Sequence, residues 1–245
     1  VHARVLSAST MEWPDALPSA LELFPTMFHD SPSEGAYPSL PTSEPVFSFL
    51  QPDHPNGLKA QLIELVNAYE ASPQDPTLSG ATIDESEGPV IVEQNARIEP
   101  GSHLIGPCYV GPNAEIRHTA YVRQFSWICA NAVVGHASET KHSVLLPGAK
   151  APHFNYVGDS MLGSGVNLGA GTKISNLRND GGEVHLRIDG QRIGSGLRKF
   201  GAILGEQCQL GCNSVTNPGV VLGCGSQVHP NTTVTGVFPA NSQHR

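Results

Sequence analysis

A six-residue hydrophobic period in the second part of the chain constrains its fold more than any other feature. An aliphatic residue returns at ten successive positions with one exception: Val92, Ile98, Leu104, Val110, Ile116, Val122, Ile128, Val134, Thr140 and Leu146. A small side chain follows four residues after the first eight of these, from Ala96 to Ser138, and the period resumes at Leu162 and again from Leu204 to Val234. A helix repeats every 3.6 residues and a strand every two, so neither explains this pattern alone.

The period predicts a solenoid whose coils have three flat sides of six residues each and stack every 18 residues. Such repeats resemble the left-handed parallel β-helix, a mainly β fold that departs from the usual right-handed crossover. An antiparallel sandwich would instead alternate with period two and turn every 8–12 residues. We therefore predict a left-handed β-helix over residues 89–236, followed by a tail at 237–245.

The first 88 residues have a different composition. They hold 13 acids and two bases and include eleven of the 20 prolines, whereas the remaining residues hold nine acids and 12 bases. Proline interrupts helices and central strands, so this part is predicted to be irregular. Two short helices are expected at Leu17–Phe28, broken at Pro25, and at Gly57–Ala71. Residues 1–88 are thus predicted to be a partly helical arm that docks on the coil.

Charge and composition exclude several functional classes. The net charge of −8 argues against a general nucleic-acid binder, and the mildly basic second part suits anionic small molecules. No apolar run approaches the roughly 20 residues of a membrane span, and the start of the chain lacks a basic region followed by an apolar one. The five cysteines form no CxxC pair, which fits a reduced compartment. We expect a cytoplasmic protein without a membrane segment.

The repeat is interrupted twice. The inward step from Val157 to Leu162 is five residues instead of six, shortly after His153. Residues 177–199 leave the coil and alternate apolar and polar residues around a glycine, which predicts a β-hairpin. Six of the chain's 14 bases lie between Lys173 and Lys199, against three acids. This insertion could grip phosphates or a neighbouring subunit, or it could be a solvated loop.

Arg123 and Lys141 are 18 residues apart and each follows an inward residue, so they should lie one above the other. Two cations ~4.8 Å apart repel by a few kcal/mol at an effective dielectric near 20. Either Glu139 or a bound phosphate should neutralise them. His153 lies 12 residues after Lys141, around a corner of the coil.

The run Lys150-Ala-Pro-His-Phe-Asn-Tyr-Val-Gly-Asp-Ser160, with Lys141, Gly165–Thr172 and Asn176, resembles the acetyltransferase domain of bacterial bifunctional N-acetylglucosamine-1-phosphate uridyltransferase. The segment Arg198–Gly205 is more similar to archaeal sugar-1-phosphate nucleotidyltransferase and acetyltransferase proteins. The resemblance covers about residues 90–236. It implies an acetyl-CoA-dependent N-acetyltransferase acting on an amino-sugar 1-phosphate, with glucosamine 1-phosphate foremost, that forms a homotrimer with sites between coils.

The same resemblance assigns roles to individual residues. His153 matches the general base that takes a proton from the sugar amine, and Arg123 and Lys141 match the residues that hold the sugar phosphate. Further sugar- and phosphate-contacting positions correspond to Tyr156, Asn167, Asn176 and Lys199. Coenzyme A would run near Cys212 and Pro230.

The chain also departs from the family. Cys212 replaces a serine, Leu177 replaces a common tyrosine, and a basic C-terminal tail is missing from these residues. They carry no pyrophosphorylase signature either.

Two other functions remain open. The first is a non-catalytic sugar-phosphate sensor or assembly scaffold on the same coil. The second is a metal lyase of the γ-carbonic anhydrase type, in which His136 and His142, six residues apart, would be recruited as ligands. Zinc needs a shared open site, and no third ligand is evident in the sequence. We therefore predict no resident metal.

Overall fold

The computed structural model describes Pro14 and residues 16–29, 34–69 and 80–245. Within these ranges the dominant feature is a coil built from three parallel sheets of eight strands each. Each strand pairs with the strand one coil later in the same sheet, as Val122 does with Thr140 and Thr140 with Val157. The predicted mainly β fold, a left-handed parallel β-helix, is confirmed.

We name the sheets A, B and C in the order in which each coil visits them. Sheet A contains Thr82–Asp84, His103–Ile105, Tyr121–Val122, Glu139–Lys141, Tyr156–Gly158, Lys173–Ile174, Val215–Thr216 and Thr233–Val234. Sheet B contains Val90–Val92, Cys108–Val110, Ser126–Ile128, Ser143–Leu145, Met161–Leu162, Ala202–Leu204, Val220–Leu222 and Val237–Phe238. Sheet C contains Arg97–Ile98, Glu115–Ile116, Val133–His136, Lys150–His153, Asn167–Leu168, Gln209–Leu210, Gln227–Val228 and Gln243–His244.

The interior of the coil explains the six-residue period. Aliphatic side chains from all three sheets stack inside it, and the small residues of the repeat lie fully buried beside the corners, as Ala114 and Ala132 do. Several corners place one residue in the left-handed region, which asparagine and glycine enter more readily than other residues. Asn113 (φ 56°) and Gly165 (φ 68°) occupy such positions.

The coil extends beyond the predicted limits of 89–236 at both ends. Thr82–Asp84 already pairs with His103–Ile105, so the first strand of sheet A lies within the predicted arm. Gln243–His244 pairs with Gln227–Val228 inside the predicted tail, and the His244 ring packs against Phe238, with ring centroids 4.4 Å apart. Neither end carries the full six-residue signature, because the terminal coils have neighbours on one side only.

The predicted inward position of Leu146 is wrong. Leu145 pairs with Ile128 and lies in the interior of the coil, whereas Val144 and Leu146 belong to the outer apolar cluster. The step from Thr140 to the next inward residue is therefore five residues, like the step from Val157 to Leu162. Three consecutive apolar residues allow the period to be read in two ways, and only packing decides between them.

The described ranges of the arm contain three short helices and one 3₁₀ segment: α1 (Ala20–Leu23), α2 (Thr26–His29), the 3₁₀ segment Val46–Leu50 and α3 (Leu58–Ala68). The predicted break at Pro25 separates α1 from α2. A capping box holds the start of α1, since Ser19 and Glu22 bond each other's backbone N–H. The end of the second predicted helix, at residues 70–71, lies outside the described residues. No described helix is long and apolar enough to cross a membrane.

The arm covers the outer face of sheet B. That face is apolar as well, so sheet B is buried on both sides by Tyr109, Trp127, Val144, Met161, Ile203 and Val221. Leu58 and Leu62 of α3 are fully buried in the same cluster. Trp127 Nε1 donates to the Ala36 carbonyl (3.1 Å). The buried Glu206 accepts from the backbone N–H of Thr26 (2.9 Å) and fixes the start of α2.

The insertion after sheet A forms the expected antiparallel hairpin from His185–Ile188 and Gln191–Gly194. It is packed on one face, because Leu186 and Ile188 are buried in the cluster that also holds the arm. Arg187 and Arg192 stay exposed. The insertion is therefore a docked element with an outward basic face.

Candidate active site

The candidate site lies on two corners of the coil that flank sheet A. We call the turn from sheet A to sheet B the AB corner and the turn from sheet C to the next strand of sheet A the CA corner. In three successive coils the AB corner departs from the repeat. Two of these corners are one residue short, after Thr140 and after Val157, and the hairpin insertion leaves the coil at the third, after Ile174.

Asp159 is the centre of the shortened AB corner. It is 4% exposed, adopts a left-handed backbone conformation (φ 49°) and lies at the point where the shortened step folds inward. His142 Nδ1 lies 3.0 Å from its Oδ1, and Lys141 Nζ lies 3.5 Å from the same atom. Asn176 Nδ2 donates to its Oδ2 (2.5 Å). Four side chains from three consecutive coils are thus joined through one carboxylate.

The electrostatics of this corner keep Asp159 ionised at neutral pH. Burial alone raises the pKa of a carboxyl group, but the hydrogen bond and charge of His142, the charge of Lys141 and the amide of Asn176 together hold the pKa of Asp159 below its ordinary value. Since an ionised carboxylate only accepts hydrogen bonds, His142 Nδ1 must be the donor of the contact.

The stacked cations Arg123 and Lys141 lie on adjacent coils of sheet A, as the 18-residue spacing predicts. Each one has its own carboxylate. Arg123 Nη1 donates to Glu139 Oε1 (2.8 Å), and this bond raises the pKa of the guanidinium, while Lys141 pairs with Asp159. Protein carboxylates therefore already relieve the repulsion, and a bound phosphate is not required for that purpose.

Tyr156 connects the two corners. It begins its strand at the CA corner, but its hydroxyl reaches Asn176 Nδ2 on the AB side at 3.2 Å. Burial, together with Glu139 and Asp159, raises the pKa of the Tyr156 phenol, which stays protonated. Tyr156 and Asn176 also line a shallow cavity of about 330 Å³ with Lys173 and Leu177.

A larger cavity of about 580 Å³ adjoins the AB corner. Lys141, His142 and Asp159 line it from the coil, and Arg198 and Lys199 line it where the insertion returns. The arm supplies its outer wall through Leu50, Pro52 and Lys59. The cavity is thus formed by all three parts of the molecule, and it brings Lys199 to the same site as Lys141.

His153 lies on the CA corner at the end of its sheet C strand and is exposed. Its backbone is fixed by Asn155, a buried residue whose Oδ1 accepts from the His153 N–H (2.9 Å) and whose Nδ2 donates to the Gly169 carbonyl (2.9 Å). Within the described parts of the chain, no hydrogen bond engages the imidazole ring. The ring is therefore open to a ligand.

The predicted coenzyme A residues lie on the same corner as His153 in later coils. The Gly171 N–H donates to the His153 carbonyl (3.0 Å), the Asn213 N–H donates to Ala170, and the Asn231 N–H donates to Cys212 (2.9 Å). With ~4.8 Å between coils, Cys212 lies about 10 Å from His153 along the coil axis, and Pro230 lies one coil further. Both are exposed.

The structure leaves the predicted site residues in two groups. Arg123, Lys141, Asn176 and Lys199 lie at the AB corner, whereas His153 lies at the CA corner, with Cys212 and Pro230 in later coils. Asn167 belongs to neither group, because it lies at the start of its sheet C strand, opposite Lys150. Tyr156 is three positions after His153, which limits their Cα separation to about 11 Å. A ligand lying across sheet A could contact both groups.

The sequence analysis gave Asp159 and Lys59 no role and considered His142 only as a metal ligand. The shortened step from Val157 to Leu162 marked the position of Asp159, because a missing residue draws the corner inward. The position of His142 could be predicted only from the second short step, from Thr140 to Leu145. The three apolar residues at 144–146 concealed that step. No local signal placed Lys59 at the site, since it comes from the arm.

The histidines considered as metal ligands lie on different corners. The His136 ring stacks on His118, with centroids 5.7 Å apart, and contacts Phe154, whereas His142 bonds Asp159. No group of three or more histidine, cysteine or carboxylate side chains that could hold a metal occurs in residues 80–245 or the described parts of the arm. The geometry gives no support to the lyase hypothesis.

Known proteins similar to this chain include bifunctional enzymes. Over 148 residues it is 40% identical to a protein of Sulfurisphaera tokodaii named bifunctional sugar-1-phosphate nucleotidylyltransferase/acetyltransferase, covering 60% of this chain and 37% of that protein. Over 156 residues it is 34% identical to the bifunctional protein GlmU of Methanococcus aeolicus, covering 64% and 38%. The matches thus span less than two fifths of the length of either relative.

Two solved structures match this chain at low similarity. One is a putative acetyltransferase of Bacillus cereus, at 14% identity and a TM-score of 0.38, covering 65% of this chain and 80% of that chain. The other is the acetyltransferase domain of PglB from Neisseria gonorrhoeae in complex with acetyl coenzyme A, at 18% identity and a TM-score of 0.33, covering 56% and 53%.

A family model described as the GMPPB C-terminal domain matches residues 104–240, which is more than half of the chain. The match spans sheets A, B and C, both corners and the hairpin insertion. The chain therefore belongs to the family of the GMPPB C-terminal domain.

Proposed function

We propose that this chain is an acetyl-CoA-dependent N-acetyltransferase that acts on an amino-sugar 1-phosphate, with glucosamine 1-phosphate as the first acceptor to test. The observation that carries the proposal is the arrangement around sheet A. A basic and amide-rich AB corner faces one side of Tyr156, and an open His153 lies on the other, in line with Cys212 and Pro230. The names of the similar proteins from Sulfurisphaera tokodaii and Methanococcus aeolicus support acyl transfer in sugar-nucleotide synthesis.

In the proposed reaction, His153 acts as the general base. Its neutral imidazole takes a proton from the acceptor amine while the amine nitrogen attacks the thioester carbonyl carbon. The resulting tetrahedral oxyanion collapses, the carbon–sulfur bond breaks, and the thiolate leaves with coenzyme A. Asn155 orients the base by fixing the backbone of His153. Backbone or asparagine N–H groups on the corner stabilise the oxyanion.

The acceptor phosphate would lie at the AB corner, bound by Arg123, Lys141 and Lys199. Tyr156, Asn167 and Asn176 would contact the sugar. Because Asp159 and Glu139 hold Lys141 and Arg123 in position without a ligand, the cations are already oriented and little side-chain freedom is lost on binding. Coenzyme A would run along the CA corner past Cys212 and Pro230.

A homotrimer is part of the proposal. The arm covers sheet B, so sheets A and C are the faces available to another copy. A second copy packed at the CA corner, between sheets C and A, would close the open side of the site between its two groups of residues. Sedimentation velocity of the whole chain tests this, with three copies expected and a monomer as the contrary result.

The direct test of the activity is a thiol-release assay with acetyl-CoA and glucosamine 1-phosphate, comparing the native chain with His153→Ala. The rate should fall by about 10²–10⁴-fold, the usual contribution of a general base, while the melting temperature stays unchanged. His118→Ala is the matched control, because His118 is exposed on the same corner two coils earlier. Full activity of His153→Ala contradicts the mechanism.

The same protein and substrates distinguish the enzyme from the competing function, a non-catalytic sugar-phosphate sensor. Binding of glucosamine 1-phosphate by calorimetry without any thiol release favours the sensor. Thiol release that depends on His153 favours the enzyme.

A further inference from the structure

The arm presents an unexpected cation to the large cavity. Residues 1–88 carry 13 acids and two bases. One base, Arg4, lies outside the described residues. The other, Lys59, is in the first turn of α3 and lines the cavity, with its Nζ 5.5 Å from the centre of the Phe125 ring. A strongly acidic segment thus directs the one base within its described ranges towards a site that already contains three other cations.

The charges of the cavity are not balanced by its own carboxylates. Lys59, Lys141, Arg198 and Lys199 line it, together with Glu87 and Asp159. Asp159 is already engaged by Lys141, His142 and Asn176, and Glu87 accepts from Gln124 (3.2 Å). No ion pair of the described residues includes Lys59, Arg198 or Lys199. Three cations that converge without carboxylate partners create a site for an anion.

The position of Lys59 is set by packing. Gly57 and Leu58, the residues just before it, are buried, and Leu62 of the next turn is fully buried. The segment of the arm around Ala36 is also bonded to sheet B, since the Ala36 N–H donates to the Tyr109 hydroxyl (2.8 Å). Because these buried residues anchor the helix that carries it, Lys59 is part of the cavity wall rather than a freely solvated side chain.

The extent of the cavity indicates what it can hold. Its volume of about 580 Å³ lies within the ~300–1,000 Å³ of ordinary ligand pockets. From Lys141 it continues towards Phe125 and the arm. Asn176 and Tyr156, the proposed sugar contacts, line the separate smaller cavity. A group attached to the far side of the acceptor phosphate would therefore enter the space between Lys59 and Lys199.

We propose that this cavity is a second phosphate subsite, in which Lys59 and Arg198 bind the second phosphate of a diphosphate whose first phosphate lies at Lys141, with Lys199 between the two, so that diphosphate-linked amino sugars are bound in preference to monophosphates. The inference rests on the proposed function for the sugar, but the diphosphate subsite itself does not depend on acetyl transfer. Lys59 is then a specificity-determining residue supplied by the arm.

Calorimetric titration of the whole chain with inorganic pyrophosphate and with inorganic phosphate tests the subsite. Pyrophosphate should bind at least tenfold more tightly than phosphate to the native chain. Lys59→Met should weaken pyrophosphate binding by about tenfold, the effect of losing one charge-assisted contact. Lys59→Arg should keep most of the affinity because it retains the charge. Arg192→Met is the control, since Arg192 is exposed on the hairpin and does not line the cavity.

Three results would overturn the proposal: equal affinities for the two anions, unchanged pyrophosphate binding in Lys59→Met, or equal losses in Lys59→Met and Arg192→Met. If Lys59 only supports α3 over Phe125, Lys59→Met lowers the melting temperature and leaves pyrophosphate affinity intact. Pyrophosphate binding that depends on Lys59, without any thiol release, separates this subsite from the proposed activity. If Lys59→Met leaves both pyrophosphate binding and thiol release with glucosamine 1-phosphate unchanged, the proposed activity stands and the subsite fails.

Discussion

The AB and CA corners flank the same sheet but are built in different ways. At the AB corner the backbone is one residue short in two coils, and Asp159 is buried among Lys141, His142 and Asn176. At the CA corner His153 is exposed and its ring has no hydrogen-bond partner among the described residues. The difference indicates that the binding groups are oriented by the fold, whereas the proposed base is left free to exchange a proton.

Replacing the central carboxylate should produce the largest change in stability. Asp159→Ala leaves Lys141, His142 and Asn176 without their shared partner and should lower the free energy of unfolding by about 3 kcal/mol. His153→Ala should leave that free energy unchanged, as the comparison of the two corners requires. Urea denaturation of both variants measures the contrast. Asp180→Ala, which removes an exposed partner of Arg178, is the control and should behave like the native chain.

The pH dependence of stability tests the same contrast, with an expected effect of intermediate size on the free energy of unfolding. The pKa of Asp159 in the folded chain lies below its ordinary value of 3.8, so its stabilising contribution is complete above about pH 4 and is lost as the pH falls through the folded pKa. The difference in unfolding free energy between the native chain and Asp159→Ala should therefore shrink below about pH 4. A difference that stays constant down to pH 2 would show that the carboxylate contributes through packing alone.

The smallest effect concerns the bridge between the corners. Tyr156→Phe removes the hydroxyl that accepts from Asn176 and should cost about 1 kcal/mol in acceptor binding, a roughly fivefold rise in KM with kcat unchanged. Tyr121→Phe is the matched control, since Tyr121 lies two coils earlier in the same register of sheet A. Equal changes in the two variants would mean that Tyr156 has no special role in joining the corners.

Much of the coil could be read from the sequence because its signal is local and repeated. The interior positions from Ile98 to Val134 follow from a period of six, and the hairpin within the insertion at 177–199 follows from an alternating segment around a glycine. The ends of the coil could not be placed, since Ile83 and His244 belong to coils that have a neighbour on one side only.

The candidate site was predictable in part. The 18-residue spacing placed Arg123 above Lys141, but their separate carboxylates depend on side-chain directions that spacing does not specify. The shortened step near Asp159 was visible, whereas the one near His142 was concealed because Val144, Leu145 and Leu146 are equally apolar. Packing decided that Leu145 faces the interior and its two neighbours face the arm.

The sequence by itself determined the coil, its three sides and the order of its corners, because each inward residue contacts its counterpart one turn away and the pattern repeats. Only the tertiary structure decided that the acidic arm covers sheet B and carries Lys59 to a cavity shared with Lys141 and Lys199. That placement depends on contacts between residues far apart in the chain, and such contacts leave no period to read.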